Sequence, residues 1–254
     1  MKTDFLVDTH CHLNLTDDID SILMDAERNN VKKIIISGCD KKSIRDGLEI
    51  IYRYPNVYMT VGFHPDEVDD LTDKDIADLE TLIKQNKKIV GIGEIGLDYY
   101  HNDMNKERQR EFFIKQINLA EKLDLPIVVH SRESIQEVYD ILKEHIVRGV
   151  IHCFSGSLEM AELFIKLGFY LGIGGVLTFK NSKLKDVVSE LSLDNIVLET
   201  DSPYLAPEPY RGHTNYPENI KIIAQALRKI KDITLEEVTD ITTSNVNKIY
   251  NLYK

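Results

Sequence analysis

Short apolar runs alternate with amphipathic stretches eight times along this sequence. Buried strands appear in a sequence as short apolar runs, whereas surface helices carry apolar residues with a period near 3.6. Strands that alternate with helices build right-handed βαβ units around a parallel sheet. Eight such units in 254 residues predict an α/β fold, a (β/α)8 TIM barrel that forms a single domain over residues 1–254. The apolar runs cover residues 5–8, 33–38, 57–63, 89–95, 126–130, 149–153, 169–174 and 195–201.

The amphipathic stretches predict helices between these strands and one extra C-terminal helix over residues 235–250. A doubly wound open sheet is the alternative fold, and it would bind a ligand at one switch point rather than around a ring of strand ends. Neither a dinucleotide-binding glycine motif nor a phosphate-binding P-loop opens any of these helices. The other predicted helices cover residues 19–29, 43–53, 75–85, 106–123, 134–143, 158–167, 182–191 and 217–230.

Five of the eight histidines, together with two acids, stand where the apolar runs end. In a barrel the carboxyl ends of all strands converge on one face. Imidazoles and carboxylates are ligands for divalent transition-metal ions, so the pattern favours a metal site on that face over core packing. The residues are His10 and His12 after the first run, His64 after the third, Glu94 in the fourth, His130 in the fifth, His152 in the sixth and Asp201 in the eighth.

These ligand types suit two ions. One would take His10, His12 and Asp201, the other His130 and His152, with Glu94 as a bridge. Two ions roughly 3.5–4 Å apart hold a shared hydroxide and stabilise both the attacking and the leaving oxygen. A purely structural metal pair is the alternative. Zinc, manganese, cobalt and nickel all match the ligands, magnesium less well, and the identity stays open.

Several segments of the chain resemble the signature segments of the TatD family, a branch of the amidohydrolase-like metal hydrolases. The resemblance implies a metal-dependent TIM-barrel deoxyribonuclease, often a 3′ to 5′ exonuclease, that acts on DNA, in particular on single strands or 3′ ends. The segments are DTHCH at 8–12, GEIGLD at 93–98, HSR at 130–132, HCFSG at 152–156, ETDSPYL at 199–205, RG at 211–212 and NYP at 215–217.

The resemblance also implies roles for single residues. Glu94 stands where many related hydrolases use a carbamylated lysine as the bridge between two metals. Asp201 would bind metal and also orient or deprotonate the attacking water, so Glu94 and Asp201 are the expected catalytic residues. The implied metal ligands are His10, His12, Glu94, His130, His152 and Asp201.

Four further residues have two open interpretations each. His64 and Arg132 stand just past strand ends and would bind phosphate. Otherwise His64 is a loop histidine that caps the backbone, and Arg132 pairs with Glu133 or another acid. Asp8 and Glu199 would hold the free N–H of a ligand histidine, or have purely structural partners.

Three tyrosines follow strands and either stack on bases or pack loops onto the barrel rim. They are Tyr99, Tyr100 and Tyr204.

The net charge of −11 argues against broad adhesion to nucleic acid, although bound divalent ions would reverse the charge locally. Two rival functions remain open: hydrolysis of an amide, ester or lactone at the same metals, and a metal-loaded binding module without catalysis.

Three scattered cysteines do not indicate a disulfide framework. The sequence has no membrane-length apolar run and no signal peptide, so we expect a cytoplasmic protein; its oligomeric state stays open.

Overall fold

Eight parallel strands form one sheet in chain order in the computed structural model, which describes residues 3–101 and 103–252. The predicted TIM barrel is confirmed. Met1 and Lys2, which entered the prediction that no signal peptide is present, lie outside the described residues. The strands are β1 (Leu6–Cys11), β2 (Val31–Gly38), β3 (Val57–Val61), β4 (Ile89–Asp98), β5 (Ile127–Arg132), β6 (Gly149–Ile151), β7 (Tyr170–Ile173) and β8 (Ile196–Leu198).

The helices begin and end within two residues of the predicted bounds, with one exception. The first predicted turn of the eighth helix, Pro217–Asn219, is a 3-10 turn that precedes the α-helix. Within the described ranges, no helix has both the length and the apolar character needed to cross a bilayer. The helices are α1 (Ile19–Arg28), α2 (Lys41–Arg53), α3 (Asp73–Gln85), α4 (Lys106–Leu123), α5 (Ile135–Leu142), α6 (Leu158–Lys166), α7 (Leu184–Glu190), α8 (Ile220–Lys231) and the extra C-terminal α9 (Leu235–Tyr250).

The strand bounds differ from prediction mainly at the carboxyl ends. β1 and β4 run three residues further than their apolar runs, whereas β8 stops at Leu198 although its run extends to residue 201. In β1 and β4 the strand conformation continues beyond the apolar run into residues that include polar ones. After β8 the backbone turns, because Asp201 has a φ of 56°, in the left-handed region.

The seam between β1 and β8 is closed by side chains as well as by backbone. The hydroxyl of Thr9 donates to the carbonyl of Leu198 at 2.9 Å. The fully buried Asp8 carboxylate accepts from the backbone N–H of Thr200 at 2.9 Å and from its hydroxyl at 2.5 Å. These bonds satisfy polar groups that a regular ladder would otherwise pair.

The amino end of the barrel is covered by the C-terminal helix. A small apolar cluster joins one residue from each of six strands to the end of α9, so the helix closes the barrel opposite the strands' carboxyl ends. The cluster contains Val7, Ile35, Val90, Val128, Val150, Val197, Val246, Ile249, Tyr250 and Leu252.

Two glutamines of α4 hold the ends of two neighbouring strands. Gln116 accepts from the backbone N–H of Phe63 at 2.7 Å and donates to its carbonyl at 3.1 Å. Gln109, two helical turns earlier, does the same for Asp98, at 2.9 and 3.0 Å. Both side chains are buried, so each amide replaces the backbone partner that its strand lacks beyond the ladder.

We expect Gln116→Ala to destabilise the protein by about 2–4 kcal/mol, because it leaves a buried N–H and a buried C=O of Phe63 without partners. Urea unfolding followed by circular dichroism measures the effect. Gln136→Ala is the matched control, since Gln136 is exposed and its side chain bonds to Asp140 on its own helix. Equal stability of the two variants would contradict the role of the Gln116 amide.

Candidate metal centre

The predicted site residues converge on a cleft of about 560 Å³ at the carboxyl ends of the strands. His10 stands behind the cleft and is buried, with only 1% of its surface exposed. The structure therefore brings together, from six different strands, the residues that the strand-end pattern singles out. Those that line the cleft are His12, His64, Glu94, His130, Arg132, His152 and Asp201.

Glu94 lies at the centre of this group, and its two oxygens face two different sets of imidazoles. Oε2 lies 3.3 Å from His10 Nε2 and 3.9 Å from His12 Nε2. Oε1 lies 2.7 Å from His130 Nδ1 and 3.8 Å from His152 Nε2. This is the geometry expected of a carboxylate that would bridge two ions.

Asp201 approaches the same histidines from the opposite side of the seam. Its Oδ1 lies 3.4 Å from His12 Nε2, 3.8 Å from His10 Nε2 and 3.7 Å from His152 Nε2. The backbone N–H of Asp201 donates to the carbonyl of His10 at 2.9 Å, which fixes the turn that aims the carboxylate into the cleft. About 13% of its side chain is exposed, so solvent reaches this carboxylate.

The donor set fits divalent cations. The Nε2 atoms of His10 and His12 lie only 3.3 Å apart, and both face carboxylate oxygens. Potential ligand atoms lie within 4.8 Å of one another in several groups. Three of the groups are His10 with His12 and Glu94, His10 with His152 and Asp201, and His64 with Glu94 and His130; the other two are His152 with Cys153 and Glu199, and His64 with Asp66 and Asp98.

The pKa values of two histidines in the cluster also agree with a site for cations. Burial lowers the pKa of His130, but hydrogen bonds to Asp98 and Glu94 raise it more, to about 9. Burial also lowers the pKa of His152, but the charges of Glu199 and Glu94 raise it to about 10. The carboxylates thus hold protons on these imidazoles, and cations bound at the same place would displace those protons.

His64 lies directly beside two of the candidate metal ligands, Glu94 and His130. Its Nε2 is 3.8 Å from Glu94 Oε1, and its ring centroid is 4.5 Å from that of His130. Its Nδ1 also accepts from the backbone N–H of Asp66 at 3.2 Å, so it caps the turn that follows β3. Burial lowers the pKa of His64 to about 4, which leaves the ring neutral at pH 7. Its assignment to phosphate stays a prediction.

Of the two acids expected to support ligand histidines, Glu199 is placed to do so. Its Oε1 lies 3.0 Å from His152 Nδ1, although the two are not aligned as a hydrogen bond, and accepts from the backbone N–H of Cys153 at 2.5 Å. Gly172 leaves room for this carboxylate, since a Cβ there would lie 2.3 Å from Glu199 Oε2.

Asp8 has the structural partner that was its other interpretation. Its carboxylate holds Thr200 across the seam rather than an imidazole N–H. The reason is local: the β1–β2 register is irregular between Asp8 and Cys11, so the two-residue alternation does not carry Asp8 onto the face of His10.

Sequence reasoning missed Asp98, which is fully buried at the end of β4. Its Oδ2 lies 2.9 Å from His130 Nε2 and 2.9 Å from His101 Nδ1. His130 Nδ1 faces Glu94, and Asp98 contacts the other nitrogen of the same ring. The two-residue spacing from Glu94 to residues 96 and 98 was a signal that could have identified it.

We expect Asp98→Asn to weaken metal binding at the His130 position by roughly 10- to 100-fold, because the carboxylate orients that ring. Titration of the metal-free variant against a competing chelator dye measures the affinity. Asp103→Asn changes an exposed carboxylate on the same loop and should bind metal like the unaltered protein. An unchanged affinity in Asp98→Asn would show that His130 is oriented without this contact.

Arg132 ends β5, directly opposite Asp98 in the β4–β5 register. Its guanidinium carbon lies 4.0 Å from the centroid of the Tyr100 ring, and Nη1 lies 3.4 Å from His101 Nε2. Within the described residues no carboxylate lies within ion-pair distance of Arg132. The structure therefore does not show the alternative for Arg132, a salt bridge with Glu133 or another acid.

The other two rim tyrosines differ in exposure. Tyr99 is partly buried and packs against the apolar core, with the Lys106 ammonium 4.4 Å from its ring centroid. Tyr204 is 53% exposed, and its ring meets that of His12 edge to face at 5.9 Å. Tyr99 thus packs its loop, whereas Tyr204 presents an aromatic face beside the candidate ligands.

The three cysteines are unpaired. Cys11 is buried, as expected of a packing residue, while Cys39 and Cys153 are only partly buried. Cys39 lines the cleft, and its Sγ lies 3.7 Å from Glu94 Oε2.

Comparisons with known proteins give one consistent result. The family model described as TatD related DNase matches residues 7–251. An uncharacterized metal-dependent hydrolase of Bacillus subtilis (strain 168), YabD, is 39% identical over 254 residues, which cover 97% of this chain and 99% of the relative. The uncharacterized metal-dependent hydrolase YcfH of Escherichia coli (strain K12) is 34% identical over 258 residues, 98% of this chain and 96% of the relative.

A solved structure has the same architecture. The crystal structure of YjjV, a TatD homologue from Escherichia coli K12, superposes with a TM-score of 0.92 at 31% sequence identity. The match covers 97% of this chain and 98% of that one, so the two chains share their fold over nearly their whole lengths.

Proposed function

The chain belongs to the TatD family of metal-dependent hydrolases, and from this premise we propose that it is a deoxyribonuclease that removes nucleotides one at a time from the 3′ end of single-stranded DNA. One observation carries the proposal: the two oxygens of Glu94 face two sets of histidines at the floor of a cleft. A bridging carboxylate of this kind serves two closely spaced cations, an arrangement that recurs in nucleases and phosphatases.

The chain's own residues supply positioning and proton transfer. Divalent ions bound here would activate water and stabilise negative charge on phosphoryl oxygens. The partly exposed Asp201 carboxylate accepts a proton from the attacking water, and the neighbouring histidines hold its pKa below the usual range even though burial raises it. Arg132, at the rim of the same cleft, binds a phosphate oxygen with its planar fork of donors.

The rim opposite Arg132 suits a nucleobase. Leu15, Tyr204 and Leu205 line the cleft there, and 52%, 53% and 39% of their respective surfaces are exposed. Bases stack on aromatic and apolar side chains without regard to sequence. This wall therefore supports a nucleotide substrate that is not chosen by its base.

The net charge of −11 restricts how such a substrate binds. A protein without a basic surface lacks the long-range attraction that draws polyanions along a duplex. Binding would then depend on the cations in the cleft and on nearby basic groups, which favours the end of a strand over a long stretch of it.

The experiment uses single-stranded DNA labelled at its 5′ end, incubated with protein loaded with zinc, manganese, cobalt, nickel or magnesium in separate reactions. We expect a ladder that shortens by one nucleotide at a time and disappears with chelator. The same DNA blocked at its 3′ hydroxyl should resist digestion, which separates 3′ to 5′ exonuclease activity from internal cleavage.

If protein shown to hold divalent ions cleaves no DNA with any of these metals, the deoxyribonuclease assignment fails. Metal-dependent turnover of amide, ester or lactone substrates would then assign a different hydrolase reaction to the same centre. If no substrate turns over but a partner still binds, the chain is a binding module.

A further inference from the structure

The buried carboxylate of Asp98 holds the first residues of the loop that follows β4. Oδ1 of Asp98 accepts from the backbone N–H groups of Tyr100 and His101, each at 2.9 Å. Oδ2 lies 2.9 Å from His101 Nδ1 and 2.9 Å from His130 Nε2. Since Gln109 holds the backbone of Asp98 as well, the carboxylate stands in a set position. The conformation of residues 99–101 therefore depends on the same group that holds a candidate metal ligand.

This loop in turn holds Arg132 on two sides. The Tyr100 ring supports one face of the guanidinium at 4.0 Å, a cation–π contact. His101 Nε2 meets one edge at 3.4 Å from Nη1. Because His101 Nδ1 faces a carboxylate, that nitrogen carries the proton, and Nε2 accepts from Arg132.

Arginine normally loses much side-chain freedom when it binds an anion. A guanidinium already held on one face and at one edge loses less, so its remaining donors bind more tightly. His101 and Arg132 line the cleft that contains the candidate metal ligands, so an anion bound there adjoins the reaction centre.

We infer that Tyr100 and His101 are positioning residues for Arg132, and that the three form a clamp for a phosphate group of the substrate strand. The inference rests on the proposed deoxyribonuclease function, since it names the part of the cleft that takes the phosphate. Tyr100 and His101 act through Arg132 and make no bond to the reacting atoms.

The variant that tests this most directly is His101→Asn. The asparagine amide still donates to Asp98 in place of Nδ1, but nothing then takes the place of Nε2 beside Arg132. Tyr100→Ala removes the supporting ring, and Tyr100→Phe retains it. Arg45→Gln is the charge-matched control, because Arg45 is exposed and pairs with the neighbouring Asp46.

The measurement is the dissociation constant of metal-loaded, full-length protein for a five-nucleotide oligothymidylate with phosphorothioate linkages, by fluorescence anisotropy. The probe is checked for integrity afterwards, and metal content is measured for each variant. We expect Arg132→Gln to weaken binding by roughly 10- to 100-fold, His101→Asn and Tyr100→Ala by about 3- to 10-fold each, and Tyr100→Phe and Arg45→Gln by less than about 2-fold.

The decisive comparison is a double-mutant cycle. If His101 and Tyr100 act through Arg132, neither substitution weakens binding further once Arg132→Gln is present. Equal losses with and without Arg132 would overturn the inference, because His101 or Tyr100 would then contact the substrate themselves. Unchanged binding in Arg132→Gln would overturn the clamp but not the proposed deoxyribonuclease function. If the unaltered protein does not bind the probe at all, the deoxyribonuclease function fails, and the clamp fails with it.

Discussion

Replacing Glu94 with glutamine is expected to lower the rate of hydrolysis by ~10³-fold or more, equivalent to about 4 kcal/mol of transition-state stabilisation. The amide has the size of the carboxylate but only one oxygen and no charge. It therefore cannot face both histidine sets with an anionic oxygen, as Oε1 and Oε2 do at 2.7 Å from His130 and 3.3 Å from His10. We also expect the variant to hold fewer divalent ions per chain.

Two readouts separate loss of metal from loss of structure. Metal content is measured by elemental analysis after dialysis, and folding by the near-ultraviolet circular dichroism of the tyrosines. Glu67→Gln, which changes an exposed carboxylate in the turn after β3, should retain both activity and metal. A Glu94→Gln protein with full activity would show that the reaction centre lies elsewhere in the cleft.

Removing divalent ions with a chelator is expected to lower the Tm by roughly 8–16 °C. Ions held at about 1,000 times their Kd stabilise the folded chain by about 4 kcal/mol, because the unfolded chain does not assemble the site. For a chain of this size each kcal/mol shifts Tm by roughly 2–4 °C. In their absence the buried carboxylates of Glu94 and Asp201 are balanced only by protons on the neighbouring imidazoles.

Differential scanning calorimetry with and without chelator measures the shift, and re-addition of metal should restore it. The Glu94→Gln protein should show a much smaller chelator effect, which ties the shift to this centre. A Tm that does not respond to chelator in protein known to contain ions would mean that the metals bind outside the barrel.

The order of strands and helices could be predicted because each element buries a face, and burial imposes a period on the sequence. Helix α4 was predicted at its observed bounds, 106–123. The ends of strands were less predictable. β8 stops at Leu198 because the chain turns to place Asp201, and apolar periodicity carries no record of such a turn.

The candidate site, too, has residues that could be predicted from the sequence and contacts that could not. A residue at the end of a parallel strand must face the common edge of the barrel, so the candidate metal ligands could be predicted from position alone. The contacts of His101 and Arg132 could not, because they depend on how residues 99–101 fold around the Asp98 carboxylate. Asp8 was harder still, since a register irregularity in β1 separates its face from that of His10.

The seam between β1 and β8 has a consequence for the timing of synthesis. Asp8 and Thr200, which bond across it, are 192 residues apart in the chain. At 5–20 residues per second, roughly 10–40 s pass between the emergence of the first candidate ligands and the arrival of Asp201 beside them. A nascent chain therefore carries an incomplete candidate metal centre for most of its time on the ribosome, and we expect that centre to be complete only when the last strand has joined the first.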